Sequence, residues 1–156
     1  MNDEQGTMNS SRRRPLIAHR SALGDFSWPI RVYYEDTDSG GVVYYANYLK
    51  FLERARTEWL RGLGFGQLEI AARDRVVFVV RSVAIEYIKP SLFDDSLQVT
   101  VELVKVGASQ IVVAQRVMRK GEALVTAEVK VACVDAQTFK PVRIPKAIVT
   151  RIGTTS

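Results

Sequence analysis

The sequence predicts an α+β domain in which one antiparallel sheet wraps around a single long helix. Three observations predict it. A strongly apolar helical pattern runs from Tyr44 to Gly62. From Ser82 onward the apolar period changes to two and holds over long segments. Short turn signals separate those segments. One apolar helix and one half-buried sheet have an economical solution, the sheet curled around the helix. A helix lying on a flat open sheet is the alternative.

Residues 1–24 read as a flexible extension, because NDEQGTMNSSRRR has no apolar periodicity. The domain spans residues 25–156. Phe26 to Tyr34 (FSWPIRVYY) is rich in aromatic and β-branched residues and reads as a strand. Glu35 to Gly41 (EDTDSGG) is a turn-rich, acidic loop. In the helix that follows, Tyr48, Leu52, Ala55, Trp59 and Leu63 recur at steps of three and four and so share one face. Phe51 and Leu60 widen that face, and Arg54 and Glu58 are placed for an i,i+4 pair on the other side. Gly62 and Gly64 bracket the helix end. A shorter helix is expected from Gln67 to Arg73.

The strands come next. Val83, Ile85 and Tyr87 alternate with Ser82, Ala84 and Glu86. Leu97, Val99, Val101 and Leu103 alternate with polar residues, as do Val125, Ala127, Val129, Val131 and Cys133, apart from Ala132. Ile111 to Met118 is an apolar run between them. Lys89-Pro90-Ser91, Asp94-Asp95, Gly107-Ala108 and Lys120-Gly121 supply turns. Long strands with short turns predict an antiparallel meander.

Composition narrows the chemistry. The chain has 156 residues, enough for one domain with a real core and no disulfide or metal staple. No apolar run approaches the ~18–20 residues that span a bilayer, so no integral membrane association is expected. The first residues lack the apolar stretch of a secretory signal, and a reducing cytoplasm is the default. One cysteine, Cys133, and one histidine, His19, are present. No intramolecular disulfide can form, and a structural zinc site, which takes about four Cys/His ligands, cannot be built. Ser-His-Asp and Cys-His catalysis need a histidine beside the nucleophile, and His19 lies in the polar extension. A hydrolase built on this chain would use a carboxylate. Twenty-two Lys and Arg against 17 Asp and Glu give a net charge of +5. That excess is spread along the chain. It suits a polyphosphate ligand or an acidic carrier protein and lacks the concentrated stripe of a nucleic-acid binder.

Glu35 to Leu60, EDTDSGGVVYYANYLKFLERARTEWL, carries the chemistry. It puts carboxylates and a glycine pair just ahead of a helix start. Glycine lets a ligand approach the backbone closely. The first helical turn offers N–H groups without intrahelical acceptors and the positive end of the dipole, which can stabilise an oxyanion. A nearby carboxylate can take a proton from water or attack directly. This small kit suits a thioester, whose leaving thiol has a reference pKa of ~8.5 and departs without strong acid help. Acidic residues ahead of a helix also serve simply as caps, and spacing does not choose between the two roles.

The stretch WPIRVYYEDTDSGGVVYYANYLKFLERARTEWLR, together with VVFVVRSVAIEYIKPSLFDD and VACVDAQTFKPVRIPKAIV, resembles the 4-hydroxybenzoyl-CoA thioesterase family of hotdog proteins. Within it, the chain is most similar to the Tol-Pal-associated acyl-CoA thioesterases of bacteria. The resemblance covers Phe26 to Ile152. It implies the hotdog fold, hydrolysis of acyl-coenzyme A, and no cofactor. By position it puts the catalytic aspartate on Asp38 and the oxyanion donor on the backbone N–H of Tyr45, with Asp36 the second carboxylate of the loop. It puts Gly40, Gly41 and Val42 on the turn that substrate approaches. Many Tol-Pal-associated members carry histidine where this chain has Tyr45, so the resemblance carries over the backbone role and leaves a helper role for that side chain open. The resemblance also implies a homodimer or homotetramer with active sites at an edge-to-edge interface, and acyl carrier protein as a candidate partner. A non-catalytic acyl-binding or scaffold protein is the competing function; Asp38 discriminates, since a binder needs no carboxylate beside an oxyanion site. A hotdog dehydratase would need a histidine in the site. Arg81, Lys89 and Arg116 are candidates for coenzyme phosphates, each more readily read as an ordinary strand-edge charge.

Overall fold

The computed structural model describes residues 19–20 and 26–155. The expected extension lies outside the described residues except for His19–Arg20, a two-residue strand (β1) whose backbone pairs with Ser27 and Phe26. Strand β2 is Phe26–Arg31. It stops three residues short of the expected Tyr34, because the chain turns there into a 3-10 turn, Tyr34–Asp36. A second 3-10 turn, Tyr45–Asn47, leads into helix α1, Tyr48–Gly62. Helix α2 is Gln67–Asp74. Strands β3 (Val76–Tyr87), β4 (Ser96–Val106), β5 (Gln110–Arg119) and β6 (Glu122–Asp135) follow, and helix α3 (Lys146–Thr155) closes the chain.

The α1 face forms as the spacing predicts. Tyr48, Phe51, Leu52, Ala55, Trp59 and Leu60 are buried, and so is Leu63 just beyond. The helix ends in a Schellman motif. Gly64, at φ +98°, gives its N–H to Arg61, and Phe65 gives its N–H to Leu60. Phe65 and Leu60 are both buried, which is the apolar contact that accompanies this cap. The expected Arg54–Glu58 pair does not form: Glu58 bonds Arg61 at 2.6 Å, one residue nearer, and the Arg54 guanidinium lies over the Phe51 ring at 5.9 Å.

The sheet is antiparallel in the order β1-β2-β4-β5-β6-β3. Strands β4, β5 and β6 form the expected meander, but β3 pairs with β6 and β2 with β4. The segment 88–95 is the reason. Ile88 and Lys89 both donate to the Leu124 carbonyl in β6, whereas Asp94 donates to Val32 and Val32 to Asp95 beyond the end of β2. The chain therefore crosses from one side of the sheet to the other instead of folding back in a hairpin. Alternation fills the inner face: Leu97, Val99 and Val101 from β4, and Val125, Ala127, Val129 and Cys133 from β6, are buried. A bulge between Leu103 and Lys105 leaves Val104 exposed. The α1 face meets β2 and β4 across this core, giving the hotdog arrangement.

Two polar contacts tie α1 to the middle of the sheet. The fully buried Gln115 of β5 donates to the Leu52 carbonyl at 3.1 Å and accepts from Arg56 at 3.0 Å. Helix α3 was not expected from the sequence. Its buried Ile148 and Ile152, four residues apart, dock it on the core together with Ile144 just ahead of it.

Candidate active site

The acidic loop folds as a small hairpin. Asp38 donates its N–H to Val42, and Gly41 donates back to the Asp38 carbonyl at 3.0 Å. Thr37 and Val43 pair as an isolated bridge. Gly41 closes the turn at φ +82°, a conformation that L side chains rarely adopt. The hairpin lies on the β3–β4 connection, where Val42 bridges Leu92 and Val43 donates to the Ser91 carbonyl at 2.9 Å. That connection is itself fastened. Arg119 pairs with Asp95 at 2.7 Å, and Asp95 accepts the Leu92 N–H at 2.8 Å.

The two carboxylates of the loop differ sharply in environment. Asp36 is buried, with Oδ2 accepting the Tyr33 N–H and Oδ1 the Asn47 amide, both at 2.9 Å. Asp38 is exposed, and its Oδ1 accepts the Gly40 N–H at 2.9 Å. No described residue donates to Oδ2 of Asp38. A Cβ on Gly40 would sit 3.3 Å from Asp38 Oδ1, a close approach that its hydrogen avoids.

Asp38, Val42 and Tyr45 line one cavity of about 630 Å³ together with Tyr44, Tyr48 and Tyr87. Val43, Ile88, Lys89 and Pro90 complete it. The sequence-derived residues Asp38, Val42 and Tyr45 thus share a cavity, while Gly40 and Gly41 shape the turn beside it. Tyr45 opens the 3-10 turn, so its N–H has no acceptor inside that turn. Three phenol rings stand together here. Tyr87 is edge-on to Tyr45 at 6.0 Å and tilted to Tyr48 at 5.7 Å. The Tyr87 hydroxyl donates to the Tyr45 carbonyl at 3.2 Å. Partial burial, with the neighbouring Tyr45 and Tyr48 hydroxyls second, pushes the Tyr87 phenol above its ordinary value, so it remains a protonated donor. The Tyr48 hydroxyl donates to Ser91 Oγ at 2.9 Å and accepts the Ser91 N–H at 3.1 Å, which fixes α1 to the connection.

Sequence reasoning singled out neither Tyr44 nor Tyr87 for the site. Tyr87 ends an alternating strand and looks there like one more sheet residue; only the crossing after it brings it to Tyr45. The other residues weighed from the sequence fall outside the cavity or into other pairings. Lys89 lines the cavity but is paired with Glu122. Arg81 sits at a bulge of β3 and donates to Gln110 at 3.3 Å. Arg116 is exposed on β5. Cys133 is fully buried, and burial pushes its thiol up to about 11, so it is core and not a nucleophile. Among the described residues no cluster of three or more His, Cys, Asp or Glu is placed to hold a metal ion, and no helix is long and apolar enough to cross a membrane.

A family model of the thioesterase-like superfamily matches residues 32–152. The chain is 50% identical over 123 residues to the acyl-CoA thioesterase YbgC of Haemophilus influenzae, covering 79% of this chain and 90% of that one. It is 48% identical over 125 residues to the acyl-CoA thioester hydrolase YbgC of Escherichia coli O157:H7, covering 80% and 92%. Among solved structures, a probable thioesterase from Bartonella henselae superposes with a TM-score of 0.74 at 32% identity, over 83% of this chain and all of that one.

Proposed function

The chain belongs to the thioesterase-like superfamily, and from that premise we propose that it hydrolyses acyl-coenzyme A to the free acid and coenzyme A, with Asp38 as base or nucleophile and the Tyr45 N–H as oxyanion donor. The observation that carries the reading is the shared cavity: Asp38, with an exposed, partly unpaired carboxylate, and Tyr45, the residue that opens a helical turn, border the same aromatic-lined space. A thioester carbonyl seated between them would meet a proton acceptor on one side and a donor for its developing negative charge on the other. As base, Asp38 takes a proton from the water that attacks the carbonyl carbon. As nucleophile, its oxygen attacks that carbon, the thiolate leaves, and water opens the resulting anhydride. Both routes release coenzyme A thiol and a carboxylate.

A thiol-release assay over a panel of acyl-CoA lengths tests the reading directly. Turnover with at least one chain length is expected. Tight acyl-CoA binding with no thiol released would instead mark an acyl-binding protein.

The finer placement is in the Tol-Pal-associated branch of the 4-hydroxybenzoyl-CoA thioesterase family, supported by the run EDTDSGGVVYYANYL. Acyl carrier protein is a candidate partner on the same resemblance, and a cytoplasmic setting belongs to the same reading. A homodimer or homotetramer belongs to the reading too. Strand β3 is twelve residues long, ends the sheet, and leaves Val79 and Val80 exposed. Long apolar edges of this kind invite strand pairing. Light scattering at micromolar concentration is expected to give at least a dimer; a monomer would remove the edge-to-edge assembly from the proposal.

A further inference from the structure

We propose that Asp36 and Asn47 are a positioning pair that sets the distance between Asp38 and the Tyr45 N–H. The inference rests on the reading of those two groups as the catalytic elements. It starts from a single side-chain bond that spans eleven residues: Asn47 Nδ2 donates to Asp36 Oδ1 at 2.9 Å. Each end lies two residues from a functional group. Asp36 ends the 3-10 turn that leads to Asp38, and Asn47 ends the 3-10 turn that Tyr45 opens. The bond therefore couples the carboxylate-bearing hairpin to the oxyanion turn.

Both ends are themselves held. Asp36 Oδ2 accepts the Tyr33 N–H, and the Asn47 N–H donates to the Tyr44 carbonyl, each at 2.9 Å. Asp36 is 5% and Asn47 1% exposed, so water does not compete for the bond. Burying a carboxylate is costly unless it is well bonded, and an apolar pair would fill the same space without that cost. What an apolar pair lacks is a directional link with a fixed length. The position of Asp36 against the start of α1 also places its charge at the favourable end of the helix dipole.

The pair is also unsymmetrical in a way that can be tested. Asn47 Oδ1 is buried and meets no donor among the described residues. Asn47 thus contributes only as a donor to Asp36. Reversing the two side chains keeps one amide donor facing one carboxylate and still offers an oxygen to the Tyr33 N–H. Asn47→Asp alone removes the amide donor and puts two carboxyl groups face to face, where like charge or a shared proton replaces the original bond.

The experiment is steady-state thioester hydrolysis by the full chain with Asn47→Asp, with the exchange Asp36→Asn/Asn47→Asp, and with Asp38→Asn alongside. A displaced reacting group costs up to about 100-fold even when the cause lies outside the chemistry. Asn47→Asp is expected to lower kcat about 10- to 100-fold by that mechanism and to leave KM near the wild-type value. The exchange is expected to recover most of the loss. Should Asn47→Asp fail to fold by circular dichroism, Asn47→Ala carries the same expectation for kcat and KM. A fall in melting temperature with kcat unchanged would make the bond purely structural and overturn the proposal, as would an exchange variant no better than Asn47→Asp alone. If Asp38→Asn retains activity, the assignment of Asp38 falls first and takes this inference with it. If Asp38→Asn is inactive and Asn47→Asp or Asn47→Ala turns over normally, only the positioning pair is lost.

Discussion

Asp38→Asn is expected to lower kcat by ~10²–10⁴, the range attached to a positioned acid–base group. The substitution keeps size and planarity. It also keeps an oxygen to accept the Gly40 N–H, the one bond that shapes the side chain in the turn. The hairpin, held by Asp38 N–H to Val42 and Gly41 N–H to Asp38, uses only backbone groups and is untouched. What disappears is the second carboxylate oxygen, which no described residue satisfies. The loss therefore falls on the transition state and not on binding, so kcat and kcat/KM should drop together with KM little changed. Asp36→Asn is the comparison: with one oxygen it cannot accept from both Tyr33 and Asn47, so it is expected to cost no more than the about 10- to 100-fold of a displaced reacting group, less than Asp38→Asn. Asp36 is buried and both its oxygens already accept hydrogen bonds, so it has no reach to a substrate. A larger loss from Asp36→Asn than from Asp38→Asn would mean that the reacting carboxylate has been misassigned.

That contrast marks where sequence reading stops. Two aspartates two residues apart in a glycine-rich loop are equivalent as letters. Their difference arises from contacts with Tyr33 and Asn47, which only the folded loop brings into place. The α1 face was legible because seven apolar residues keep the helical period and all of them are buried. The inner faces of β4 and β6 were legible in the same way, with period two, whereas in β3 Val83 and Ile85 are only half-buried and Tyr87 is exposed. Strand order was not. Pairing depends on where segment 88–95 goes, and its bonds to Leu124 at one end and Val32 at the other are long-range. The same crossing hid Tyr87, whose role in the cavity depends on a carbonyl 42 residues away. Helix α3 did leave a signal, three isoleucines spaced by four. Its short run, with Pro145 before it and Gly153 inside it, reads as a tail until the core beneath it is seen.

The second large effect separates the backbone of Tyr45 from its ring. Tyr45→Pro removes the N–H and is expected to cost ~10²–10³ in kcat, the usual loss for one oxyanion donor. The fold should tolerate it. Tyr45 is the first residue of its helical turn, where the fixed φ of proline fits and the missing N–H has no partner to lose within the turn. Tyr44 already sits at φ −72° and ψ 144°, the extended conformation that a following proline demands. The carbonyl of Tyr45, which accepts from Tyr87, is retained. Tyr45→Phe keeps the N–H and the edge-on contact with the Tyr87 ring, so kcat should stay near wild type. Tyr45→Ala keeps the N–H but opens the cavity on that side, and should shift acyl preference more than it lowers the best kcat. Comparing the three by thiol release, with circular dichroism to check folding, assigns the function to one part of the residue. If Tyr45→Phe is as inactive as a folded Tyr45→Pro, the donor is the phenol and not the backbone.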